Sequence, residues 1–166
     1  MHRYSRVQTD LGVFRIACSS NGITTIRPAA ETPQAFEAAY RKRFGVNPVP
    51  GDVPDAYIQA LRRTVKGQET PSVPIDWSGF TPFQQKVLKT LLKVPAGKAQ
   101  SYSWLARRAG FPKAARAVGN AMANNPIPFL IPCHRIVPAS GGVGNYGLGK
   151  ELKRELLKRE GAILKD

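Results

Sequence analysis

Hydrophobic and polar residues alternate near the start of the chain, which is typical of β-strands with one buried face. Extended runs at 7–9 and 13–17 are separated by turn residues, and a second turn leads into the β-branched run 23–26. Because short turns of this kind join neighbouring strands, the pattern predicts an antiparallel sheet.

After these strands the apolar spacing changes to three and four residues, which predicts helices. The first helix begins at Pro33 and ends before Gly45, and the second covers residues 56–65. A Pro- and Gly-rich loop at 47–54 separates them, and a short strand is expected at 73–76. Strands and helices together predict a small N-terminal α/β domain.

The second half of the sequence has mostly helical spacing. Thr81 is placed to cap a helix, with Gln84 completing a capping box. Ser101 is placed to cap a second helix at 102–109, and a third is expected at 113–124 after a tight turn. Two helices joined in this way suggest a helix-turn-helix, although many helical hairpins bind no DNA.

The third predicted helix carries two different faces. One face is basic or amide-bearing, with Lys113, Arg116 and Asn120 at three- and four-residue steps. Small residues lie between them: Ala115, Ala117, Gly119, Ala121 and Ala123. Such residues would let the helix approach a nucleic-acid groove closely, but the alanines fit a tightly packed core helix equally well.

These elements predict an α+β protein in two parts. Residues 1–79 form the N-terminal α/β domain, for which we expect a structural role. Residues 80–166 form a mostly helical domain that binds DNA and carries the chemistry.

Charge is distributed unevenly along the chain. The formal net charge is +14, with 10 Lys/Arg against 7 Asp/Glu in residues 1–78 and 15 against 4 in residues 79–166. A basic half of this kind favours a polyanion, with nucleic acid preferred over a membrane surface. A surface that merely confers solubility is the alternative.

Composition excludes several classes of protein. No apolar run approaches the roughly 20 residues of a membrane span, and the first residues lack the apolar core of a signal peptide. We therefore expect no membrane partner, and a cytoplasmic protein that associates with the nucleoid or nucleus through DNA. Cys18 and Cys133 are expected to be free thiols, and the sparse cysteines and histidines predict no metal.

Residues 124–138 combine four prolines and several apolar residues with a thiol, an imidazole and a guanidinium at 133–135. We expect an extended, buried segment, in which polar groups are costly unless they are paired. Cys133 becomes a nucleophile if a neighbouring base or positive charge activates it. The alternatives are an inert buried thiol and a core histidine at His134.

The segment Pro132-Cys133-His134-Arg135-Ile136-Val137 resembles the active-site motif of the O6-alkylguanine-DNA alkyltransferases. The resemblance extends from Phe80 to Gly161 with matching spacing, whereas residues 1–79 match only loosely. Its further motifs are Thr81-Pro82-Phe83-Gln84, Ser101-Tyr102, Ala115-Arg116-Ala117-Val118-Gly119, Asn125-Pro126, Gly144-Asn145-Tyr146 and Glu160-Gly161.

The resemblance implies a single irreversible transfer of an alkyl group from O6-alkylguanine, and from O4-alkylthymine, to Cys133. His134 would deprotonate Cys133 through a water molecule, and Glu160 would hold His134 in the useful tautomer. Asn125 would fix the turn that presents the site. No cofactor is implied. Glu160 as a surface charge and Asn125 as an ordinary helix-ending residue are the alternatives.

The resemblance also implies double-stranded DNA as partner, contacted in the minor groove by the third helix. Arg116 would fill the gap left by a flipped nucleotide, and Tyr102 would assist flipping and protonate the departing guanine, unless it is a core aromatic. Further DNA contacts are expected from Ser101, Lys113, Ala115, Ala117, Gly119, Asn120 and Arg135. The expected substrate pocket comprises Met122, Ile136, Tyr146, Gly147 and Leu148.

Relatives often carry glycine at the position of Leu148, so we expect a narrower pocket that disfavours bulky adducts. The family's N-terminal domain is ribonuclease H-like, and a monomer is expected, with cooperative binding along DNA left open.

Two other functions fit parts of the sequence. A binding module that recognises alkylated DNA would lack the acceptor cysteine, and a helix-turn-helix regulator would leave the Cys–His–Glu set unexplained.

Overall fold

The computed structural model describes residues 1–164 as a mixed four-stranded sheet followed by a mainly helical half. The strands are β1 Arg3–Thr9, β2 Gly12–Ser19, β3 Gly22–Pro28, β4 Val49–Pro50, β5 Gln100–Ser101 and β6 Ile136–Val137. Strands β1, β2 and β3 form an antiparallel meander, and β4 pairs with β1 in parallel, giving the order β3-β2-β1-β4. The helices are α1 Pro33–Phe44, α2 Asp55–Val65, α3 Pro82–Leu91, α4 Tyr102–Arg108, α5 Ala115–Ala123 and α6 Lys150–Arg159.

The two faces of the sheet are buried by different partners because successive residues of a strand point in opposite directions. On one face Tyr4 and Ala17 pack against Phe36 and Tyr40 of α1. The opposite face belongs to the main core, which runs through α2 and into the helices of the second half. The helical half is therefore built onto the sheet and shares its core.

One backbone contact joins the sheet to the loop after α5. The Ile26 N–H and the Thr25 hydroxyl both donate to the carbonyl of Pro126, at 2.9 and 2.8 Å. Nearby, the rings of Phe14 and Phe129 meet edge to face with centroids 5.1 Å apart. We call the pair of hydrogen bonds to Pro126 the β3–Pro126 contact.

Local signals in the sequence correspond to observed helix ends. Thr81 and Gln84 form a reciprocal capping box at α3, and the Ser101 hydroxyl accepts from the Trp104 N–H at the start of α4. Gly45 ends α1 with a positive φ of 74°. Such ends depend on neighbours in sequence, which is why they were predictable.

Three expectations for secondary structure need correction. The strand expected at 73–76 is a single parallel bridge between Ile75 and Ile23, since Pro74 has no N–H to continue a ladder. The loop at 47–54 contains the short strand β4. The third helix begins at Ala115 rather than at Lys113. The ribonuclease H-like and helix-turn-helix descriptions and the boundary at residue 79 stay predictions.

Candidate active site

Cys133 lies in a short 3₁₀ turn, Cys133–Arg135, and the prediction of an extended segment is wrong at this point. The Cys133 N–H donates to the Ile131 carbonyl at 2.8 Å, and the Arg135 N–H donates to Pro132 at 3.0 Å. These local hydrogen bonds bend the chain, which then continues as β6. Cys133 is partly accessible, whereas His134 is completely buried.

Asn125 holds the backbone that leads to Cys133. Its side-chain oxygen accepts from the Ile127 N–H at 3.0 Å, and its amide donates to the Ile131 carbonyl at 3.0 Å. The same amide lies 3.4 Å from the Cys133 sulfur. The structure therefore places Asn125 both as a brace for the turn and as a hydrogen-bond donor to the thiol.

A buried carboxylate links His134 and Arg135. Glu160 Oε2 lies 3.0 Å from His134 Nε2 and 2.7 Å from the Arg135 guanidinium, and the Glu160 side chain has no exposed surface. Arg135 also donates to the Val94 carbonyl at 2.8 Å. Because these groups occupy its guanidinium inside the protein, the prediction that Arg135 contacts DNA is wrong.

Burial and these partners set the ionisation of the site. Burial raises the pKa of Cys133, although the hydrogen bond from Asn125 and the charge of Lys153 partly oppose this. Burial likewise lowers the pKa of His134, against the effect of Glu160. Burial alone would raise the pKa of Glu160, but hydrogen bonds from His134 and Arg135 outweigh it and hold that pKa below its usual value.

The resulting resting state is a protonated thiol beside a neutral imidazole, so thiolate formation requires a proton acceptor. The second imidazole nitrogen, His134 Nδ1, is buried without a hydrogen-bond partner among the described residues. Since Glu160 accepts from Nε2–H in the neutral ring, Nδ1 is the nitrogen left as a base. The arrangement therefore leaves one imidazole nitrogen able to accept a proton.

Cys133 opens onto a cavity of about 910 Å³. Of the predicted residues, the cavity is lined by Tyr102, Gly119, Met122, Asn125, Cys133, Tyr146, Gly147 and Leu148. Ile136 is not on its wall, which corrects that prediction: the side chain is completely buried and the carbonyl accepts from Lys153 at 2.6 Å. The remaining pocket residues come together as the sequence suggested.

Two tyrosines face the cavity near the sulfur. The parallel pairing of β5 with β6 brings Tyr102, at the start of α4, beside the chain that follows Cys133. Burial and the nearby Cys133 raise the pKa of Tyr102 and raise that of Tyr146 well above the ordinary value. Both hydroxyls therefore stay protonated at neutral pH and can act as donors.

Helix α5 and the turn before it present the residues expected to meet DNA on the protein surface. Gly119 has open space where a side chain would project. The exposed residues of this predicted surface are Lys113, Ala115, Arg116, Ala117 and Asn120. Ser101 is half-buried, and its hydroxyl accepts a hydrogen bond from the Trp104 N–H at the start of α4.

Sequence reasoning missed three cationic residues at the site. Arg27 and Arg43 of the N-terminal half line the cavity, and nothing in their local sequence indicated this. Lys153 is completely buried in α6. Its position three and four residues before Leu156 and Leu157 places it on the buried stripe of the helix, a signal that was available.

Neither a metal set nor a membrane helix is found in the described part of the chain. Within residues 1–164, no group of three or more His, Cys, Asp or Glu side chains could hold a metal ion. None of the helices there is long and apolar enough to cross a membrane. Cys18 and Cys133 are both free thiols.

Comparisons with known proteins agree over nearly the whole chain. Residues 82–162 match the model of the 6-O-methylguanine DNA methyltransferase, DNA binding domain. The methylated-DNA–protein-cysteine methyltransferase of Mycobacterium tuberculosis is 35% identical over 161 residues, covering 96% of this chain and 93% of the relative. That of Cricetulus griseus is 43% identical over 171 residues, covering 96% and 82%.

A solved structure shows the same architecture. The crystal structure of Mycobacterium tuberculosis OGT in complex with DNA aligns with a TM-score of 0.76 at 34% identity, covering 96% of this chain and 92% of that one. Similarity in sequence and in structure thus extends over nearly the whole chain. The chain belongs to the methylated-DNA–protein-cysteine methyltransferase family.

Proposed function

We propose that this protein repairs DNA by transferring a methyl or other alkyl group from the O6 atom of guanine to Cys133, once per molecule. The observation that carries this proposal is a thiol at the wall of a large cavity, with a buried His134–Glu160 pair directly behind it. O4-alkylthymine is a second expected substrate. A thioether has no easy leaving route, so the protein is consumed by the reaction.

The reaction is a displacement at the alkyl carbon. A water molecule passes the thiol proton of Cys133 to His134 Nδ1, and Glu160 stabilises the imidazolium that forms. The sulfur electron pair forms the S–C bond, while the C–O6 electron pair leaves with guanine. Tyr102 supplies a proton to the departing base, a role supported by its place on the cavity wall and its raised pKa.

The base reaches Cys133 by leaving the DNA stack. We propose that α4 and α5 act as a helix-turn-helix, with α5 in the minor groove and Arg116 in the gap left by the nucleotide. The exposed small residues of α5 support this proposal, because their short side chains allow the helix backbone to lie close to the floor of the minor groove. The backbone of Cys133, Tyr146 and Gly147 would read the edges of the flipped base.

The same proposal includes the fold of the N-terminal part, the oligomeric state and the location of the protein. Residues 1–79 are a ribonuclease H-like domain that supports residues 80–166, and the protein acts as a monomer. It works in the cytoplasm, associated with the nucleoid or nucleus through DNA. Side-by-side binding of several copies on one duplex is testable by titration of long against short duplexes.

The test is intact-protein mass spectrometry after mixing with a duplex that contains one O6-methylguanine. We expect a gain of about 14 Da, a methyl group in place of hydrogen, located on Cys133 and absent from Cys133→Ala. Tight binding without a mass change would replace transfer by damage recognition alone. No binding to the duplex would contradict the proposal altogether.

A further inference from the structure

Lys153 is a completely buried lysine that contacts the chain just after the reactive cysteine, and the reaction described above does not use it. Its ammonium donates to the Ile136 carbonyl at 2.6 Å and to the Asn145 carbonyl at 3.2 Å. Ile136 lies three residues after Cys133, and Asn145 lines the cavity. One side chain therefore ties the chain leaving the active-site turn to the cavity wall at Asn145.

The cost of burying this group indicates a role. A buried ammonium is unfavourable unless it is paired, and neither of its two partners carries a formal charge. Burial lowers the pKa of Lys153 to about 8, and the proximity of Cys133 acts in the opposite direction. Ionised Cys133 is therefore a negative charge that would favour the charged form of Lys153.

Other charged and titratable groups near the thiol do not replace Lys153. His134 and Arg135 are engaged with Glu160, whose carboxylate offsets the charge of the guanidinium. Tyr102 and Tyr146 face Cys133 with raised pKa values and remain neutral. Asn125 donates a hydrogen bond without a charge.

We propose that Lys153 is a positioning residue of the transfer site, which braces the cavity wall through two carbonyls and stabilises the Cys133 thiolate with its charge. This inference rests on the proposed function. The brace fixes the distance between the sulfur and the residues 145–148 that meet the base. The charge favours thiolate formation and is no longer needed once the neutral thioether has formed.

The test compares Lys153→Met, which keeps most of the side-chain length, with Lys153→Arg, which keeps the charge. Lys158→Met serves as a matched control, since Lys158 is exposed on the same helix. Two rates are measured from pH 6 to 9.5. They are single-turnover methylation by the O6-methylguanine duplex, and alkylation of Cys133 by iodoacetamide followed by peptide mass spectrometry.

We expect the Lys153→Met profile of Cys133 reactivity to move to higher pH, with transfer at pH 7 slower on the order of tenfold, the equivalent of one pKa unit. Lys153→Arg should restore the position of the profile, and Lys158→Met should match the wild type. A uniform loss at every pH, not rescued by arginine, would overturn the electrostatic role. Unchanged rates in Lys153→Met would overturn the proposal entirely.

A measurement on the wild-type protein covers the case in which Lys153→Met does not fold. Lysine-selective NMR follows the titration of the Lys153 ammonium before and after methylation of Cys133. We expect its pKa to fall after methylation, because Cys133 can then no longer ionise near the ammonium. An unchanged pKa would contradict the inference, whereas a wild-type protein that gains no methyl group would contradict the proposed function instead.

Discussion

The surroundings of the two cysteines differ, although burial raises the pKa of both thiols. Cys18 lies in β2 with no exposed surface, inside the core that the sheet shares with the helices. Cys133 opens onto the cavity, with Asn125, His134 and Lys153 around it. Reactivity in this fold therefore depends on access and on groups that accept the proton or stabilise the thiolate, and not on a low resting pKa.

The largest expected effect comes from replacing each of the two cysteines separately by alanine. Cys133→Ala should abolish methyl transfer, while Cys18→Ala should transfer one methyl group per molecule at a cost of about 1 kcal/mol in stability. Intact mass and thermal unfolding measure the two quantities. Loss of transfer in a folded Cys18→Ala protein would show that the comparison between the two cysteines is wrong.

The next largest effect concerns the carboxylate behind Cys133. Glu160→Gln leaves Arg135 buried without its counter-ion and removes the negative charge that stabilises protonated His134, so we expect a loss of about 3–5 kcal/mol in stability and of roughly 100-fold in transfer rate. Glu155→Gln is the control, because Glu155 pairs with Arg159 near the surface. That change should cost about 0–1 kcal/mol; equal effects in both variants would argue against a role for burial.

Adjacent asparagines allow a finer comparison. Asn125→Ala leaves the Ile127 N–H without its partner and removes one of the two hydrogen bonds to the Ile131 carbonyl, at a cost of about 1–3 kcal/mol. Asn124 is exposed and bonds only within its own helix turn, so Asn124→Ala should stay within about 0.5 kcal/mol. Chemical denaturation measures both. A larger loss of stability in Asn124→Ala than in Asn125→Ala would contradict the structural role given to Asn125.

Leu148 is expected to limit the size of the alkyl group that the cavity beside Cys133 accepts. Its side chain lines the cavity, so Leu148→Gly should raise the rate with free O6-benzylguanine roughly tenfold, as expected for removing a few methylene groups from a pocket. The rate with the O6-methylguanine duplex should change little. If O6-benzylguanine reacts equally well with both proteins, Leu148 does not restrict the pocket.

The smallest effect is the dependence of stability on pH. The pKa values of His134 and Glu160 are both lowered in the folded protein, so the unfolded chain binds more protons as the solution becomes acidic. Stability should therefore fall as the pH drops below about 6.5, first through His134 and then, near pH 4, through Glu160. Thermal unfolding of His134→Gln should show a weaker dependence between pH 6.5 and 5. An identical dependence would exclude His134 as its source.

Features set by neighbouring residues could be predicted from the sequence. The capping box of Thr81 and the left-handed end at Gly45 depend on only a few residues, so pattern and structure agree. The motif around Cys133 was equally accessible because its resemblance covers a continuous stretch. These signals were sufficient to place most of the candidate site in one cavity.

Features set by distant parts of the chain were not predictable in this way. Arg135 is basic and adjacent to the motif, which suggested DNA, but Glu160 and the Val94 carbonyl bind it inside the protein. Arg27 and Arg43 reach the cavity only through the arrangement of β3 and α1. Such placements depend on packing between elements, which the sequence pattern of one element does not contain.

The β3–Pro126 contact also has a consequence for the order in which the molecule is made. During synthesis at about 5–20 residues per second, the nearly 100 residues between Ile26 and Pro126 take on the order of 5–20 s to emerge. The β1–β2–β3 meander needs only neighbouring segments and has time to pair within that interval. The loop that carries Asn125 therefore leaves the ribosome to meet an edge that is already complete.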